Sequence, residues 1–533
     1  MRQRRAHAFL VAGAALLVLA ACSSTVTGSA TDDGSRASGA APTAGGTPTG
    51  TVPAGLESFY AQAASWGPCD GYATTTDDTK LYSDKSFECA RVQVPLDYTQ
   101  PAGKVISVAV LRIKASGDRI GSLLVDPGGP GGSGMSLAAN LKSAVADTPI
   151  GQRFDLVGFD PRGVAASEPA VSCVTGAEAD AQRKDVDLDT SAAGVAKTES
   201  LEKDYAGKCS TRVGADVLAH VGTVDAVQDM DVLRSVLGDP KLSYLGFSYG
   251  TSLGRAYAEK FPTNVRALVL DGALDPAANP VETLVRQGEG FQGAFNAYAT
   301  DCAKKGSCPL GTDPAAASAA FQALVRPLIG RPARTKDPRG LGYDDATIGT
   351  IQALYSQQLW PALTKGLDQL KGGQGDVLLA LADLYEGRDA NGKYSNEQDA
   401  FNAVRCVDAP PTTDRAVVDT ADARYRAAAP FLDDGRGSGR APLDVCAFWP
   451  VPPSGAPHTP VVTGLPQVVV ISTTGDPATP YQAGVTLATQ LGARLVTHQG
   501  DQHTVALQGV RCIDDAVNAY FVDLTVPADG LRC

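Results

Sequence analysis

The sequence predicts an α/β fold in which a mostly parallel central sheet carries an inserted, mainly helical lid. Three observations support this prediction. Eight short runs rich in β-branched residues are bounded by turn residues, as strands are. Helical stretches such as residues 226–237 separate the later runs, which is the order that a parallel sheet requires. One run leads directly into the pattern G-x-S-x-G, which is typical of a tight turn from a strand into a helix.

The first two predicted strands, residues 90–96 and 105–111, form an antiparallel start to the sheet. Six further runs form its parallel part: residues 122–125, 154–159, 242–245, 265–270, 468–472 and 493–497. Residues 277–457 lie between the sixth and seventh strands and are rich in Ala, Leu and Gln at helical spacing, so they predict the lid. The core is therefore expected in two parts, residues 53–276 and 458–533.

The N-terminus has the pattern of an export signal. Three arginines precede an apolar run, residues 9–21, that is too short to span a bilayer comfortably. The run ends in Leu-Ala-Ala-Cys, which resembles the lipobox of bacterial lipoproteins. We therefore expect residues 1–21 to be removed and Cys22 to become the lipidated first residue. A plain secretory signal cleaved nearby is the alternative. Either signal predicts export, and the lipid would hold the protein on the outer face of the cell membrane.

Residues 22–52 predict a flexible linker, because they are mainly Ser, Thr, Gly, Ala and Pro with almost no large apolar side chains. The whole chain is acidic, with a formal net charge of −12 at pH 7, and it has no basic cluster. This composition argues against a nucleic-acid partner. It also argues against electrostatic adhesion to an anionic membrane, so the lipid is the only membrane contact expected.

Ten cysteines remain when Cys22 is set aside, and an even number in an exported chain indicates disulfides. Sequence alone does not fix their connectivity, but they fall into five neighbouring pairs. The expected disulfides are Cys69–Cys89, Cys173–Cys209, Cys302–Cys308, Cys406–Cys446 and Cys512–Cys533. No Cys-x-x-Cys pair or His/Cys cluster resembles a metal site, and the five histidines are scattered, so no metal is expected.

Ser248 is the candidate nucleophile. It follows the fifth predicted strand directly, in the sequence Gly-Phe-Ser-Tyr-Gly, and a tight turn there would push its hydroxyl out over the edge of the sheet. The flanking glycines, Gly246 and Gly250, suit a strained turn in which neighbouring backbone passes too close for a Cβ. A second G-x-S-x-G match is centred on Ser252, but this serine lies one turn into the following helix and cannot occupy the elbow.

A serine nucleophile needs a base and an orienting acid, and the chain offers both after later strands. Asp476 follows the seventh strand and His503 follows the eighth, which gives the chain order Ser, Asp, His. Their separation leaves room for one helix and one strand. Two alternatives stay open: Asp271, after the sixth strand, is the alternative acid, and His498, at the end of the eighth, is the alternative base.

The oxyanion hole needs two backbone N–H groups aimed at the place where negative charge develops. Tyr249, directly after the nucleophile, should supply one. The glycine-rich loop after the third strand, residues 126–134, should supply the other, and Gly129 is the best single donor. This loop lacks both the Lys-Ser/Thr ending of a P-loop and the spacing of a dinucleotide-binding fingerprint, so a phosphate cradle is disfavoured.

The set of motifs DPGGPGGSG, DPRG, GFSYG, DPATP and HT resembles the secreted tripeptidyl aminopeptidases and prolyl-iminopeptidase relatives of the α/β-hydrolase fold. It resembles especially actinobacterial lipoproteins with a tripeptidyl-aminopeptidase-like C-terminal segment, and the likeness covers residues 66–533. The resemblance implies that Ser248, Asp476 and His503 form a catalytic triad. Such relatives usually read D-x-R-G-x-G-x-S, whereas Ala165 replaces the second glycine here, which leaves the backbone of that loop open.

The expected function is that of a serine exopeptidase that releases di- or tripeptides from free N-termini through an acyl-enzyme on Ser248, without a cofactor. A carboxylesterase or lipase on the same fold is the alternative, and a non-catalytic surface binding protein is a third class. An aminopeptidase must hold a buried ammonium group, which requires a carboxylate in the lid. Asp408 and Glu289 are the candidates. Peptides are the expected partners, and the sequence does not predict the oligomeric state.

Overall fold

Eight strands form one sheet within the part of the chain that the computed structural model describes, residues 42, 44–184, 188–437 and 439–533. They are β1 (Glu88–Pro95), β2 (Val105–Ile113), β3 (Gly121–Asp126), β4 (Phe154–Asp160), β5 (Leu242–Phe247), β6 (Val265–Asp271), β7 (Val469–Thr473) and β8 (Arg494–His498). Their order in the sheet is β1-β2-β4-β3-β5-β6-β7-β8. Strand β2 is antiparallel to β1 and β4, and all other neighbours are parallel. Each predicted run overlaps one of these strands, so the predicted α/β-hydrolase fold is confirmed.

Helices precede the sheet and connect its strands. The α-helices before β6 are α1 (Glu57–Tyr60), α2 (Thr76–Leu81), α3 (Gly134–Val145), α4 (Pro149–Arg153), α5 (Gly176–Gln182), α6 (Ala192–Val213), α7 (Ala215–Leu218), α8 (Thr223–Val236) and α9 (Gly250–Lys260). Those after β6 are α10 (Pro280–Lys304), α11 (Ala317–Val325), α12 (Tyr343–Leu354), α13 (Trp360–Lys371), α14 (Asp376–Tyr385), α15 (Glu397–Asp408), α16 (Arg415–Ala428), α17 (Tyr481–Leu491) and α18 (Arg511–Asp523). Short 3-10 turns lie at Asp70–Tyr72, Pro262–Asn264, Pro314–Ala316, Arg326–Ile329, Gln357–Leu359 and Val445–Phe448.

The sheet is buried on both faces. Successive residues of a strand point to opposite faces, so Tyr244 and Leu268 pack with α8 and α9, whereas Leu245 and Val269 pack with α3 and α18. This two-sided burial explains why the central strands read as nearly continuous apolar runs. The sheet is therefore a rigid platform whose carboxyl edge can hold side chains in fixed positions.

Helices α10 to α16 all lie in residues 277–457, the segment expected to form the lid. Several of them share a separate apolar core around Phe295, Phe321 and Phe431. The segment between β4 and β5, which the sequence placed in the main core, also contacts the lid. Tyr205 of α6 donates a hydrogen bond to Asp399 (2.6 Å), so the region above the sheet is built from two insertions.

The predicted linker, residues 22–52, extends too far at its C-terminal end, because residues from about position 45 onward contact the core. The N–H of Thr49 donates to Ser235 Oγ (3.0 Å), and the buried Arg234 donates to the carbonyl of Thr49 (3.0 Å). Gly45 and Gly46 both donate to the carbonyl of Ala61. These small polar residues have the composition of a linker, but their backbone groups form hydrogen bonds with the core and hold them against it. The expected signal, residues 1–21, and Cys22 lie outside the described residues.

Five disulfides join the ten remaining cysteines, all of which are described, in the neighbouring pairs expected from the sequence. The pair Cys406–Cys446 ties α15 to a later turn of the same insertion, and Cys512–Cys533 ties α18 to the end of the chain. Across the described ranges, no helix is both long enough and apolar enough to cross a membrane.

Candidate active site

Ser248 occupies a sharp turn between β5 and α9. Its φ of 54° lies in the left-handed region, which is unfavourable for a residue with a side chain and marks a strained turn. A Cβ on Gly246 would lie 2.4 Å from the carbonyl oxygen of Gly250, so only glycine fits where strand and helix meet. The half-buried Ser248 donates its N–H to the carbonyl of Asp271 at the end of β6 (2.9 Å). Ser252 lies inside α9, away from the turn.

Asp476 and His503 form the acid–base pair expected from the sequence. Nδ1 of His503 lies 2.9 Å from Oδ1 and 3.0 Å from Oδ2 of Asp476, which is buried. The Asp476 carboxylate also accepts the N–H groups of Ala478 and Thr479 and the hydroxyl of Thr479. Burial by itself lowers the pKa of His503, but the charge and hydrogen bond of Asp476 outweigh it and raise that pKa above its usual value. The carboxylate can therefore stabilise a histidine that has accepted a proton.

The end of β6 contacts both the backbone of Ser248 and the ring of His503. Asp271 holds the backbone of Ser248, and the next residue, Gly272, packs directly against the base. A Cβ on Gly272 would lie 3.2 Å from Cε1 of His503 and 3.0 Å from the hydroxyl oxygen of Thr479. Since Nδ1 of His503 faces Asp476, Nε2 is the ring nitrogen left for the serine hydroxyl.

The two alternatives from the sequence do not form an acid–base pair. The carboxylate of Asp271 accepts the N–H groups of Val505 and Ala506 (2.7 Å each) instead of facing a histidine nitrogen. Nδ1 of His498 is buried and has no hydrogen-bond partner among the described residues. The geometry therefore favours Asp476 and His503 as acid and base.

The glycine-rich loop after β3 lies against the nucleophile turn. A Cβ on Gly128 would lie 2.6 Å from the nitrogen of Tyr249 and 2.5 Å from the carbonyl oxygen of Phe247. Only a glycine permits this approach, and its φ of 87° also suits glycine. The two predicted oxyanion donors, Gly129 and Tyr249, thus belong to two segments in direct contact.

Asn396 fixes the loop whose backbone the Ala165 substitution left open. The N–H of Ala165 donates to Oδ1 of Asn396 (2.9 Å), and Nδ2 of Asn396 donates to the carbonyls of Gly163 and Val171 (2.8 Å each). Ala165 has a φ of 42°, which explains why a glycine would be favoured at this position. The amide of Asn396 thereby locks the start of α15 onto the core.

Neither predicted ammonium ligand fits that role. Both oxygens of Asp408 are already engaged: Oδ1 accepts the N–H of Thr223 (2.7 Å), and Oδ2 accepts the hydroxyls of Thr223 (2.6 Å) and Tyr249 (2.9 Å). Asp408 therefore joins the end of α15 to α8 and to the residue after the nucleophile. Glu289 is exposed on α10. A solvent-exposed carboxylate binds a dehydrated ammonium only weakly, so the exposure of Glu289 gives that prediction no support.

Two other lid carboxylates, Glu386 and Glu397, both raise the pKa of Tyr385, whose ring lies 6.5 Å from that of Tyr355, and the sequence analysis missed both. Burial raises the pKa of Glu397. Burial also raises the pKa of Glu386, to about 7, and the charge of Glu397 contributes to that rise. The negative charge of Glu397 also raises the pKa of Tyr355. The ring of Tyr355 lies edge-on to that of His503, with 5.4 Å between the ring centres. The backbone N–H of His503 donates to the carbonyl of Tyr355 (2.9 Å). The carbonyl of Glu397 lies against the oxyanion loop, 2.5 Å from where a Cβ of Gly131 would be.

No sequence signal distinguished these two glutamates from solvated ones. They stand in a polar connection between two lid helices, and their proximity depends on how α14 and α15 pack. Among the described residues, the acidic and sulfur ligands close enough for a metal ion are Cys406, Asp444 and Cys446, and the two cysteines are joined in a disulfide.

Comparison with known proteins identifies a family and several relatives. A family model described as the alpha/beta hydrolase fold matches residues 121–510. Serine protease Hip1 of Mycobacterium tuberculosis is 50% identical over 479 residues, which cover 89% of this chain and 91% of that protein. Carboxylesterase B of the same organism is 52% identical over 493 residues, 92% of each chain. Tripeptidyl aminopeptidase of Streptomyces lividans is 32% identical over 463 residues, 84% of each chain.

Proposed function

The chain belongs to the α/β-hydrolase family and is a serine hydrolase, and from this premise we propose that it is an exopeptidase that releases di- or tripeptides from free N-termini. Its relatives support a serine peptidase, and the finer assignment rests on one observation. Two half-buried carboxyl groups of the lid, Glu386 and Glu397, act on Tyr385, whose ring neighbours that of Tyr355, and Tyr355 in turn packs against the base. A carboxylate pair of this kind is what a free α-ammonium group requires when it leaves water.

The residues of the site support acyl transfer through a serine ester. The hydroxyl oxygen of Ser248 attacks the scissile carbonyl while Nε2 of His503 accepts the hydroxyl proton. Asp476 holds Nδ1–H and stabilises the imidazolium, and the N–H groups of Gly129 and Tyr249 receive the oxyanion. His503 then protonates the leaving amine. Water attacks the ester by the reverse sequence, which releases the peptide acid and restores the serine.

The position of the carboxylates supports exopeptidase action. Tyr355, Tyr385 and Glu397 come from different parts of the lid and lie in a series that leads away from His503, with the two tyrosine rings 6.5 Å apart. A substrate acyl segment that extends from Ser248 in this direction would bring its free N-terminus towards the glutamates. Only a chain that ends there, with a free amine, can satisfy both the aromatic surface and the charges.

A carboxylesterase is the second candidate, because a relative that is 52% identical over 92% of the chain carries that name. The same acyl-transfer groups cleave esters, so the two candidates differ in their need for the amine rather than in the triad.

Three substrates distinguish these candidates: a free tripeptidyl aminomethylcoumarin, its N-acetyl derivative and p-nitrophenyl butyrate. We expect acetylation to lower kcat/KM by at least about tenfold, the loss expected when a charge-assisted hydrogen bond is removed. Glu397→Gln and Glu386→Gln should each reduce the ratio of free to acetylated rates, whereas Glu289→Gln, a matched change on the exposed face of the lid, should preserve it. Equal rates for both peptides together with faster ester cleavage would establish the esterase instead.

We also propose that the protein is exported and anchored by lipid on Cys22. The Leu-Ala-Ala-Cys sequence after a basic and apolar N-terminus supports this location, and five disulfides suit an oxidising compartment. Cys22→Ser should move the protein from the membrane fraction to the soluble fraction and abolish metabolic labelling with palmitate. Labelling that persists in this variant would contradict the proposal.

A further inference from the structure

One residue at the end of β6 contacts the segments that carry both the nucleophile and the base. The carbonyl of Asp271 accepts the N–H of Ser248 (2.9 Å), and its carboxylate Oδ2 accepts the N–H groups of Val505 and Ala506 (2.7 Å each), just after His503. The Asp271 side chain is fully buried, and its second oxygen, Oδ1, has no hydrogen-bond partner among the described residues.

These contacts lie where the loop of the base is strained. Thr504 and Leu507 have φ values of 61° and 60°, in the left-handed region that disfavours residues with side chains. Between these two positions, the N–H groups of Val505 and Ala506 both donate to the carboxylate of Asp271, and these two hydrogen bonds hold the loop in that conformation. The adjacent Gly272 lies against the imidazole as well. A Cβ added to it would be 3.2 Å from Cε1 of His503, so the same strand end contacts the ring of the base.

We propose that Asp271 is a positioning residue whose buried negative charge, together with that of Asp476, supports the imidazolium form of His503 while the carboxylate holds the loop of the base. The inference rests on the proposed roles of Ser248 and His503. During acylation the serine proton moves to Nε2 of His503, so a positive charge appears between two carboxylates. Asp476 neutralises it through a hydrogen bond, and Asp271 stabilises it through space.

The charges around the two groups agree with this role. His503 contacts Asp476 from the loop after β7 and the ring of Tyr355 from the lid, and the charge of Asp271 at the end of β6 acts on it through space. Asp476 and Asp271 both raise the pKa of His503. Burial is the largest influence on Asp271 and raises its pKa to about 6, against the two backbone N–H groups and the charge of His503. Asp271 is therefore ionised at neutral pH, when the base is needed.

The test compares Asp271→Asn with Asp514→Asn. An asparagine oxygen can still accept the two N–H groups, and the backbone bond to Ser248 is unchanged, so the first variant removes mainly the charge. Asp514 is the matched control, because its carboxylate accepts the N–H groups of Leu507 and Gly509 in the same loop (2.7 and 2.9 Å) but is not among the charges that act on His503.

Removing the charge of Asp271 should lower the pKa of His503, because the imidazolium form loses part of its electrostatic stabilisation. In Asp271→Asn the acidic limb of kcat/KM should move to lower pH by at least about half a unit while the plateau kcat falls about tenfold. Asp514→Asn should leave the limb in place. An unmoved limb in Asp271→Asn, or an equal movement in both variants, would overturn the proposal. Loss of fluorophosphonate labelling in His503→Ala, measured separately, tests the triad itself, so failure of the triad and failure of this role are distinguishable.

Discussion

Under the proposed function, the charge of Glu386 sets how strongly the site attracts a substrate amine. Burial is the main cause that raises its pKa to about 7; the charge of Arg183 opposes the rise, and those of Asp345, Asp383 and Glu397 add to it. Below pH 7 this carboxyl is therefore largely neutral and attracts an ammonium weakly, whereas above pH 7 it is ionised. A residue whose charge changes near neutrality makes substrate binding depend on pH.

KM for a free tripeptide substrate should rise as pH falls through about 7, because Glu386 becomes protonated. It should also rise above about pH 8, where the α-amine of the substrate loses its own charge, since such amines titrate at about 7.7–8.0. Steady-state measurements across this range should show the acidic rise disappear in Glu386→Gln. The same acidic rise with the N-acetylated substrate would contradict the assignment, because that substrate has no ammonium.

At the level of elements, the turns after β3, β5, β6, β7 and β8 meet at the carboxyl edge of the sheet, and the first turn of α15 packs against one of them. In this contact Gly131 lies against Glu397. A Cβ on Gly131 would be 2.5 Å from the carbonyl oxygen of Glu397, so the lid and the oxyanion loop are closely packed here. We expect this contact to couple the proposed amine site to the proposed oxyanion loop.

Gly131→Ala should therefore separate α15 from the oxyanion loop. Its Cβ would lie 2.5 Å from the carbonyl oxygen of Glu397 and 3.0 Å from the nitrogen of Phe401, and its φ is 100°. We expect kcat/KM to fall at least about tenfold on both peptide and ester substrates, as for loss of one oxyanion donor. Gly373→Ala is the control, because it has a φ of 75° but open space around its Cβ position. If both variants kept the activity of the unmodified enzyme, the coupling would be refuted.

The residues of the proposed triad were predictable because each follows a strand, Ser248 immediately and Asp476 and His503 a few residues later. Ser248, Asp476 and His503 are each placed by local sequence: an apolar run, a turn and one functional side chain. The lid carboxylates were not predictable in this way. Asp408 looked suitable from its neighbours, yet its partner Thr223 lies 185 positions away in the chain, and this contact occupies the oxygens that an ammonium would need. Glu397 is set by the packing of α15 on the glycine loop, which no local pattern encodes.

On the scale of the whole molecule, a buried ionic network joins the two insertions above the sheet. Arg183, after α5, has its Nε 2.9 Å from Asp345 of α12 and its Nη1 2.7 Å from Asp383 of α14. The arginine side chain is only 9% exposed, so its charge depends on these partners. The same arginine lowers the pKa of Glu386, so we expect the network to link lid stability to the proposed amine site.

Arg183→Met should destabilise the protein by about 3–5 kcal/mol, because it leaves the buried Asp345 without its ion-pair partner, whereas Asp383 keeps Arg339. It should also raise KM for free peptides, since Glu386 would remain protonated to higher pH. Urea unfolding and steady-state kinetics measure the two effects. Arg424→Met, which removes an exposed pair with Glu282 on the same lid, should leave the unfolding free energy nearly unchanged. Equal losses in both variants would argue against a special role of the buried network.

The central claim is that Ser248 is the nucleophile of a serine peptidase, and active-site labelling tests it most directly. The intact protein should be treated with a fluorophosphonate, digested and mapped by mass spectrometry, beside Ser248→Ala and the neighbouring control Ser252→Ala. We expect one modified residue, Ser248, in the unmodified enzyme and in Ser252→Ala, and neither label nor peptide turnover in folded Ser248→Ala. Label on Ser252, or normal turnover without Ser248, would contradict the account.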